Sequence, residues 1–457
     1  MARPQSPRRT LRVTTPPARA AGVLRLLAAQ GYGLEPEPFD PLAFAVVCEP
    51  APLGASLAAR LGLVYIQDRS SMLPPLLLNP PPGALALDMC SAPGGKTGIL
   101  ARCVGPAGCV AACEPSADRL ATLRQNLRRT DAANIATAKL ESQHLPFDDA
   151  TFSHILLDPP CSGWGTADKH PKVLELWGEG KTAPLEALQR ELLAEAARLL
   201  APGGRLLYST CTTNELEDEV QARWALETLG EVLRLVPLAP PPGFVFEAPR
   251  GGPDGVLRVA EASEGQGFFL ACFEKPGGPV PPPAWTAPEA DPPGRALDPA
   301  RLETPEALDW AGLPPGRLYD FGGKAVFCHA LALGLMPAGV RWQGRVLGQV
   351  RQVGRGRDDG RGRGGKGHAG GRGGKGREAA RSGDVFRPEA FARCLLPDEP
   401  PARGAVALSG PADLESLLAG RSLAVPADGD GPVGVYLGDL ALGWGLRRGG
   451  RLLWTER

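Results

Sequence analysis

The central part of the chain, from about residue 66 to 275, alternates between short apolar runs and stretches with apolar residues at every third or fourth position. Short apolar runs are typical of buried strands, and the longer spacing is typical of helices that cover a sheet. The pattern predicts strands at residues 84–89, 109–113, 154–158 and 205–210. Strands that alternate with helices indicate the α/β class, with a doubly wound, Rossmann-like core around a parallel sheet.

Two of the helices can be identified from the spacing of their apolar residues. In a helix, residues three and four positions apart lie on the same side, so such a stripe faces the sheet. The first stripe comprises Leu120, Leu123 and Leu127, and the second comprises Leu185, Leu188, Leu192, Ala196 and Leu199. We expect both helices to pack on the sheet.

The flanking segments indicate further parts of the chain. Residues 1–65 carry a helix-like stretch at Val23 to Leu27 and a strand-like stretch at Phe44 to Val47, which predicts a small N-terminal module. Residues 276–300 are rich in proline and predict a stiff linker after a domain at 66–275. Residues 301–457 then form a C-terminal α+β domain. Its apolar segments lie at residues 326–336, 339–350 and 434–445.

Composition narrows the class of protein. Hydrophobic residues make up 43% of the chain, and no apolar run reaches the roughly 20 residues that cross a bilayer, which excludes an integral membrane protein. Ten cysteines are scattered without a CxxC pair, a pattern that favours free thiols in a reducing compartment. We therefore expect a cytoplasmic protein without a targeting segment.

The chain has 50 basic and 50 acidic residues and is formally neutral, but its charges are unevenly distributed and one segment is strongly basic. Residues 351–383 contain ten basic and three acidic residues among many glycines. Such a composition cannot bury enough apolar surface to fold, so we predict a disordered Gly/Arg insertion at 352–383. It either contacts phosphates without sequence preference or is an inert insertion, and the sequence favours neither.

The first predicted strand, ALALDMC, ends in the loop SAPGGKT. An acid at a strand end followed by glycines allows the backbone to approach a nucleotide-type ligand at the carboxyl edge of a parallel sheet. A P-loop would need glycine where Cys90 stands, which excludes that motif. A helix is predicted to begin near Gly98.

Two further acids follow the next strands. Glu114 ends the second strand, 26 residues after Asp88, where a doubly wound fold places a carboxylate against ribose hydroxyls. The alternative is a solvated glutamate at a strand end, and the spacing does not decide between them. Glu141, after a third strand region that lies between the predicted strands at 109–113 and 154–158, is a candidate of the same type.

The fourth strand, HILLDPPCSG, delivers Asp158 and Cys161 beside two prolines that stiffen the loop. It resembles the DPPY signature of exocyclic-amine methyltransferases, with Cys161 in place of the stacking aromatic residue. The strand LLYSTC then delivers Cys211, before an acidic helix that we expect Thr213 or Asn214 to cap. Positive partial charge at that helix start would lower the pKa of the thiol, although a lone cysteine is more often a small buried hydrophobe.

Six motifs occur in order along residues 60–275: YIQDRSS, DMCSAPGGKT, CEPSADRL, LLDPPCSG, LYSTCTTNELEDE and EGQGFFLACFEK. Together they resemble the NOL1/NOP2/Sun family of RNA cytosine-5 methyltransferases, and within it the bacterial members that act on 16S ribosomal RNA. The C-terminal end, VYLGDLALGWGLRRGGRLLW, is similar to the PUA-like RNA-binding ends of those enzymes.

The resemblance implies a class I methyltransferase core and a covalent mechanism. Cys211 matches the family nucleophile, which attacks cytosine C6, and Cys161 matches the cysteine associated with release of the adduct. Asp158 is implied to contact the cytosine edge, and Lys96 to face both the base and the cofactor.

The implied cofactor is S-adenosylmethionine, and no metal is expected. Glu114 is implied to bind its ribose with Arg119 nearby, and Glu141 to lie near its adenine, while Asp158 borders the methyl donor. The loop residues implied to bind the cofactor are Cys90, Ser91, Ala92, Pro93, Gly94, Gly95 and Lys96.

The implied partner is RNA, most simply 16S ribosomal RNA or the small ribosomal subunit, bound by a monomer with the N-terminal and C-terminal parts assisting. A transfer RNA substrate shares every catalytic residue and stays open. A non-catalytic assembly factor would need neither Cys161 nor Cys211, and an exocyclic-amine methyltransferase would need an aromatic residue at position 161.

Overall fold

The computed structural model describes residues 8–167, 171–178, 180–283, 292–352 and 383–455. Their strands form four sheets. The predicted Gly/Arg insertion lies almost entirely outside the described residues, as does the middle of the predicted proline-rich linker. Within the described part of the chain, no helix combines the length and the apolar character needed to cross a membrane.

The N-terminal part forms a small antiparallel sheet, in the order β2-β3-β1-β4. Its elements are β1 (Thr10–Val13), α1 (Ala20–Ala29), β2 (Gly33–Pro36), β3 (Ala43–Cys48), α2 (Leu57–Arg60) and β4 (Val64–Ile66). The predicted helix and strand are confirmed, because α1 buries Val23 and Leu27 and β3 contains Phe44 to Val47.

The central sheet has the order β11-β12-β13-β9-β8-β5-β6-β7-β17, with β10 paired to β13. Its strands are β5 (Leu85–Asp88), β6 (Cys109–Cys113), β7 (Ile135–Ala138), β8 (Phe152–Leu157), β9 (Leu200–Thr210), β10 (Arg234–Val236), β11 (Phe246–Glu247), β12 (Leu257–Val259), β13 (Phe268–Glu274) and β17 (Trp342–Gln343).

The strand order reveals a doubly wound core. The chain runs from β5 outward through β6 and β7, and then returns to β8 and β9 on the other side of β5. These five strands are parallel. The four strand positions predicted from the sequence are confirmed within a few residues as β5, β6, β8 and β9. The whole sheet is mixed rather than parallel, however, because β13 and β17 pair antiparallel to β9 and β7 at its two sides.

Helices cover both faces of this sheet. They are α3 (Leu73–Leu78), α4 (Gly95–Val104), α5 (Ala117–Thr130), α7 (Ala183–Leu199), α8 (Glu219–Leu229) and α9 (Ala330–Leu335). The short helix α6 (Lys172–Leu176) buries none of its residues. Side chains of α3, α4 and α5 share one core with the sheet, and those of α7, α8 and α9 share another. The two leucine stripes predicted from the sequence lie on α5 and α7 and face these cores.

The C-terminal part contains two further sheets, of orders β14-β15-β16-β18-β19 and β20-β22-β23-β24-β21. The first consists of β14 (Arg295–Leu297), β15 (Gly316–Phe321), β16 (Lys324–His329), β18 (Arg345–Arg351) and β19 (Val385–Pro388). The second consists of β20 (Ala405–Ala407), β21 (Leu423–Ala424), β22 (Gly431–Leu437), β23 (Leu440–Arg448) and β24 (Arg451–Leu453), with helix α10 (Pro411–Leu418). The three predicted apolar segments supply strands to both sheets.

The C-terminal part packs against both the central sheet and the N-terminal sheet. Strand β17 pairs with β7 and so covers one edge of the central sheet, where unpaired backbone groups would otherwise be exposed. Helix α9 contributes Ala332 to the core beneath the central sheet. The N-terminal sheet shares a second core with the last sheet, in which Leu11 and Val23 pack in one cluster with Leu414 and Val435.

Candidate active site

The candidate site lies at the carboxyl edge of the central sheet. Asp88 ends β5, Glu114 follows β6, Asp158 follows β8 and Cys211 follows β9. Because these strands are parallel and adjacent, their carboxyl ends meet at one edge, next to the point where the strand order reverses. The sequence predicted these strand-end residues as site candidates.

The loop after β5 is fixed to its neighbours by hydrogen bonds. The backbone N–H and the hydroxyl of Ser91 donate to the carbonyl of Cys113, at 3.1 and 2.8 Å. Thr97 donates to Oδ2 of buried Asp88 at 2.7 Å. Burial raises the pKa of Asp88 to about 7, although the hydrogen bond from Thr97 acts in the opposite direction. Burial also raises the pKa of the Cys90 thiol well above its usual value.

Helix α4 begins at Gly95, three residues before the predicted start near Gly98. Gly94 precedes it with a φ of 104°, a left-handed conformation that favours glycine. A Cβ atom at Gly94 would also lie 2.8 Å from Cδ1 of Leu123. The glycines therefore start the helix inside the loop, which periodicity of apolar residues could not reveal.

A residue of the N-terminal module, Arg12, contacts the same loop, which precedes and enters helix α4. Arg12 donates from Nη2 to the carbonyl of Gly95 at 3.1 Å and from Nε to Gln67 at 3.3 Å, and its guanidinium lies 5.0 Å from the centre of the Tyr65 ring. Burial lowers the pKa of Arg12 to about 10. Arg12 was not predicted from the sequence, although its partners Tyr65 and Gln67 lie in the motif YIQDRSS.

Glu114 presents a buried acceptor beside the loop. Its side chain is 1% exposed; Oε1 accepts from the backbone N–H of Ser116 at 2.9 Å, and Oε2 has no hydrogen-bond partner among the described residues. Arg119 Nη1 lies 3.4 Å from that oxygen, and Nη2 donates to the carbonyl of Ala92 at 3.0 Å. A buried acceptor without a donor fits a ligand hydroxyl, so these residues suit a ribose.

Glu141 is placed differently. Its side chain is exposed, and the neighbouring Ser142 donates to the carbonyl of Met89 at 2.5 Å. Glu141 is therefore an exposed residue next to the loop after β5, and it lies outside the buried cluster around Asp88 and Glu114. Its assignment to adenine stays a prediction.

Asp158 connects the loop to β9. Lys96 Nζ lies 2.7 Å from Oδ2 of Asp158, and the hydroxyl of Ser209 donates to Oδ1 at 2.8 Å. Burial would lower the pKa of Lys96, but the carboxylate of Asp158 outweighs burial and raises it. The ammonium group also lies 5.4 Å from the centre of the Phe268 ring, on β13. The amine of Lys96 therefore stays protonated at neutral pH.

Cys161 and Cys211 lie side by side, with their sulfur atoms 3.4 Å apart. Both are free thiols and partly exposed. The hydrogen bond from Cys161 lowers the pKa of Cys211 and, together with the charge of Lys96, outweighs burial and the charge of Asp158. The same hydrogen bond, followed by burial, raises the pKa of Cys161. The opposite directions of these two pKa shifts favour the thiolate at Cys211 and the thiol at Cys161.

The predicted acidic helix directly after Cys211 is wrong. Helix α8 begins only at Glu219, and residues 212–218 form an irregular segment in which neither Thr213 nor Asn214 caps a helix. Three of the acidic side chains, those of Glu217, Asp218 and Glu219, are buried. Arg258 pairs with Asp218 at 3.2 Å and with Glu219 at 2.5 Å. The positive charge near Cys211 therefore comes from Lys96 and not from a helix start.

The chemistry of this cluster is nucleophilic. A thiol with a lowered pKa is a better nucleophile at neutral pH, and a second thiol at 3.4 Å can exchange a proton with it. The Lys96–Asp158 pair next to it presents both a donor and an acceptor to a polar ring.

Comparisons with known proteins match the central part of the chain. Residues 75–274 fit the model of a family described as 16S rRNA methyltransferase RsmB/F. Ribosomal RNA small subunit methyltransferase F from Salmonella paratyphi B is 37% identical over 282 residues, which cover 59% of this chain and 57% of that protein. The chain thus spans little more than half the length of this curated relative.

Solved structures of other proteins also match this chain over more than half of its length. A methyltransferase homolog protein from Pyrococcus horikoshii is 31% identical, with a TM-score of 0.50 over 59% of this chain and 87% of that one. NSun6 from Pyrococcus horikoshii with SFG is 20% identical, with a TM-score of 0.51 over 60% of this chain and 92% of that one, a likeness of fold alone. The Rossmann-like core predicted from the sequence is confirmed, with a mixed central sheet.

Proposed function

Because residues 75–274 match the model of the 16S rRNA methyltransferase RsmB/F family, we propose that this chain is an S-adenosylmethionine-dependent RNA cytosine-C5 methyltransferase that modifies 16S ribosomal RNA. The observation that carries the proposal is the pair of thiols, Cys161 and Cys211, 3.4 Å apart beside the Lys96–Asp158 ion pair. Curated relatives named ribosomal RNA small subunit methyltransferase F support the choice of substrate.

Cys211 is the nucleophile in this proposal. Cytosine C5 is a poor nucleophile, and addition of a thiolate at C6 makes C5 electron-rich enough to accept a methyl group. The lowered pKa of Cys211, caused first by the hydrogen bond from Cys161, increases the fraction of reactive thiolate.

Release requires loss of the C5 proton and cleavage of the bond between sulfur and C6. Cys161, adjacent to Cys211, is the residue that we assign to this step. Asp158 is assigned to the cytosine edge near N3 and N4, and Lys96 holds that carboxylate at 2.7 Å. The ion pair thereby orients the base against the two thiols.

The cofactor site is assigned to the loop Cys90–Lys96, with Glu114 and Arg119 at the ribose, Glu141 near the adenine and Asp158 beside the methyl donor. Bound S-adenosylmethionine supplies an electrophilic methyl group. Oε2 of Glu114 accepts no hydrogen bond from the described residues, which supports this assignment, because a ribose hydroxyl could donate to it.

We assign RNA binding to the N-terminal module and to a PUA-like C-terminal part. A cavity of about 550 Å³ between the two C-terminal sheets is lined by Arg128, Lys324, Arg387 and Trp444, among others. Lys324 and Arg387 flank Gln349 in the strand register, which brings two exposed cations to one sheet face. Two exposed cations on one face suit the phosphates of a nucleic-acid backbone. We further propose that the chain acts in the cytoplasm as a monomer.

The test is deletion of the gene from its host, followed by bisulfite sequencing of ribosomal and transfer RNA. A strain complemented with the wild-type chain and one complemented with Cys211→Ala serve as controls. We expect 5-methylcytosine to disappear from small-subunit ribosomal RNA and to return only with the wild-type chain. Loss in transfer RNA would overturn the substrate, and no loss in either would favour a non-catalytic RNA-binding assembly factor.

A further inference from the structure

Glu217 lies behind the two cysteine loops, and its side chain is completely buried. Its carboxylate oxygens accept three N–H hydrogen bonds: from the backbone of Ser162 at 2.9 Å, from Gln189 at 3.0 Å and from Asn214 at 3.0 Å. Its acidic neighbours pair with Arg258, whereas neutral donors hold Glu217. A buried carboxylate is costly unless its oxygens are satisfied, so this group is specifically accommodated.

Two of the donors connect Glu217 to the segment around Cys161, one from within that segment and one from helix α7. Ser162 is the next residue in the chain, and its N–H points at Oε2 of Glu217. Gln189 uses its Nε2 twice, donating to Glu217 and to the carbonyl of Pro160 at 3.0 Å. The backbone on both sides of Cys161 is therefore tied to one carboxylate.

The third donor belongs to the segment after Cys211. Asn214 donates to Oε1 of Glu217, and its own backbone N–H donates to the hydroxyl of Thr212 at 3.3 Å. That hydroxyl lies 2.7 Å from the hydroxyl of Ser162, so the residues that follow the two cysteines also contact each other. Glu217 thus links both loops from behind.

The negative charge of Glu217 acts on one thiol of the pair. The hydrogen bond to Cys211 and burial are the main causes that raise the pKa of Cys161, and the charge of Glu217 adds to them. At Cys211, by contrast, the positive charge of Lys96 lowers the pKa of the thiol. A carboxylate and an ammonium group therefore favour a thiol at position 161 and a thiolate at position 211.

We propose that Glu217 is a positioning residue that fixes the separation of the two cysteines and places a buried negative charge behind Cys161. Its consequence for turnover rests on the function proposed above. The carboxylate touches neither base nor cofactor in this scheme, and acts only through the loops that carry the thiols.

The test compares Glu217→Gln, which keeps the size of the side chain, with Glu215→Gln at an exposed acid two positions earlier. The first readout is the pH dependence of iodoacetamide alkylation at Cys161 and Cys211 in the RNA-free protein, resolved by peptide mass spectrometry. We expect Cys161 to react at lower pH in Glu217→Gln, because the charge that opposes its ionisation is lost. A profile at Cys161 identical to wild type would overturn the proposal.

The second readout is methyl transfer to RNA. We expect kcat of Glu217→Gln to fall roughly tenfold to a hundredfold with KM for RNA near wild type, because the thiols lose their alignment. Glu215→Gln should match wild type in both readouts. Alkylation needs no RNA, so a wild-type chain that failed to methylate RNA would count against the proposed function alone.

A second variant covers the case in which Glu217→Gln does not fold. Gln189→Met removes one donor from Glu217 and from Pro160 while keeping the charge. We expect a smaller loss of kcat and an alkylation profile at Cys161 like that of wild type. An unchanged kcat in this variant would overturn the positioning role.

Discussion

Lys96 is the cation that faces the reactive thiol. It pairs with Asp158 at 2.7 Å, and its charge contributes to the lowered pKa of Cys211, after the hydrogen bond from Cys161. A positive charge near a thiol favours the thiolate, so its removal should raise the pKa of Cys211.

We therefore predict that Lys96→Gln shifts the alkylation of Cys211 and the rise of activity to higher pH. The measurement is the rate of methyl transfer and of iodoacetamide labelling as a function of pH. Lys139→Gln, at an exposed lysine, is the matched control and should behave like wild type. Labelling of Cys211 with an unshifted pH profile would disprove the electrostatic role of Lys96.

The sequence predicted part of this site well, for a physical reason. Asp158, Cys161 and Cys211 follow strands whose apolar runs are conspicuous, and parallel strands bring their carboxyl ends together. Arg12 and Glu217 were not predicted, because their roles depend on contacts between distant or irregular segments. No local pattern of residues encodes such contacts.

The loop before α4 depends on a glycine that no other residue could replace without strain. Gly94 has a φ of 104°, and a Cβ there would lie 2.8 Å from Leu123 on α5. Gly83 has a φ of 87° but nothing within 4 Å of such an atom. Both positions have a left-handed backbone conformation that is strained for alanine. Only at Gly94 would the added Cβ atom also clash with a neighbouring side chain.

We predict that Gly94→Ala destabilises the protein more than Gly83→Ala, by about 1–3 kcal/mol for the added overpacking, and weakens S-adenosylmethionine binding. Chemical denaturation gives the free energies of unfolding, and calorimetry gives the cofactor affinity. Equal destabilisation by the two variants, with cofactor affinity intact, would show that the contact with Leu123 is irrelevant.

Helices and strands were predicted with unequal success. The leucine stripes of α5 and α7 were correct because a buried face imposes its spacing on the sequence. The starts of α4 and α8 were wrong because glycine geometry in one case, and buried ion pairs with Arg258 in the other, determine them. Neither cause leaves a periodic signal.

Three parts of the molecule meet at Arg393. Its side chain is 4% exposed and donates to the carbonyl of Leu61, in the N-terminal module, and to the carbonyl of Arg129, at the end of α5, each at 2.7 Å. Arg393 itself belongs to the C-terminal part. One guanidinium thus connects the module, the central fold and the C-terminal sheets.

We predict that Arg393→Met lowers the free energy of unfolding by about 1–3 kcal/mol for each carbonyl left buried without a donor. Arg403→Met is the control, since the side chain of Arg403 is 83% exposed and forms only a surface ion pair with Glu306. Urea denaturation measures both variants. Similar stability of the two would mean that the three parts are not coupled through Arg393.

The sequence predicted the parts of the molecule better than their assembly. Residues 339–350 were identified as an apolar segment, but nothing in the sequence indicated that its first strand, β17, would pair with β7 of the central sheet. Pairing of backbone groups leaves little trace in side-chain composition. The junction between core and C-terminal part is therefore visible only in three dimensions.

The central claim is that Cys211 forms a covalent bond with cytosine and that Cys161 is needed to break it. The most direct measurement is to incubate Cys161→Ala with S-adenosylmethionine and 16S ribosomal RNA, and to separate the products under denaturing conditions. We predict a protein–RNA adduct that mass spectrometry maps to Cys211, absent from the double variant Cys161→Ala/Cys211→Ala. No adduct in Cys161→Ala, or an adduct that persists in the double variant, would contradict the account.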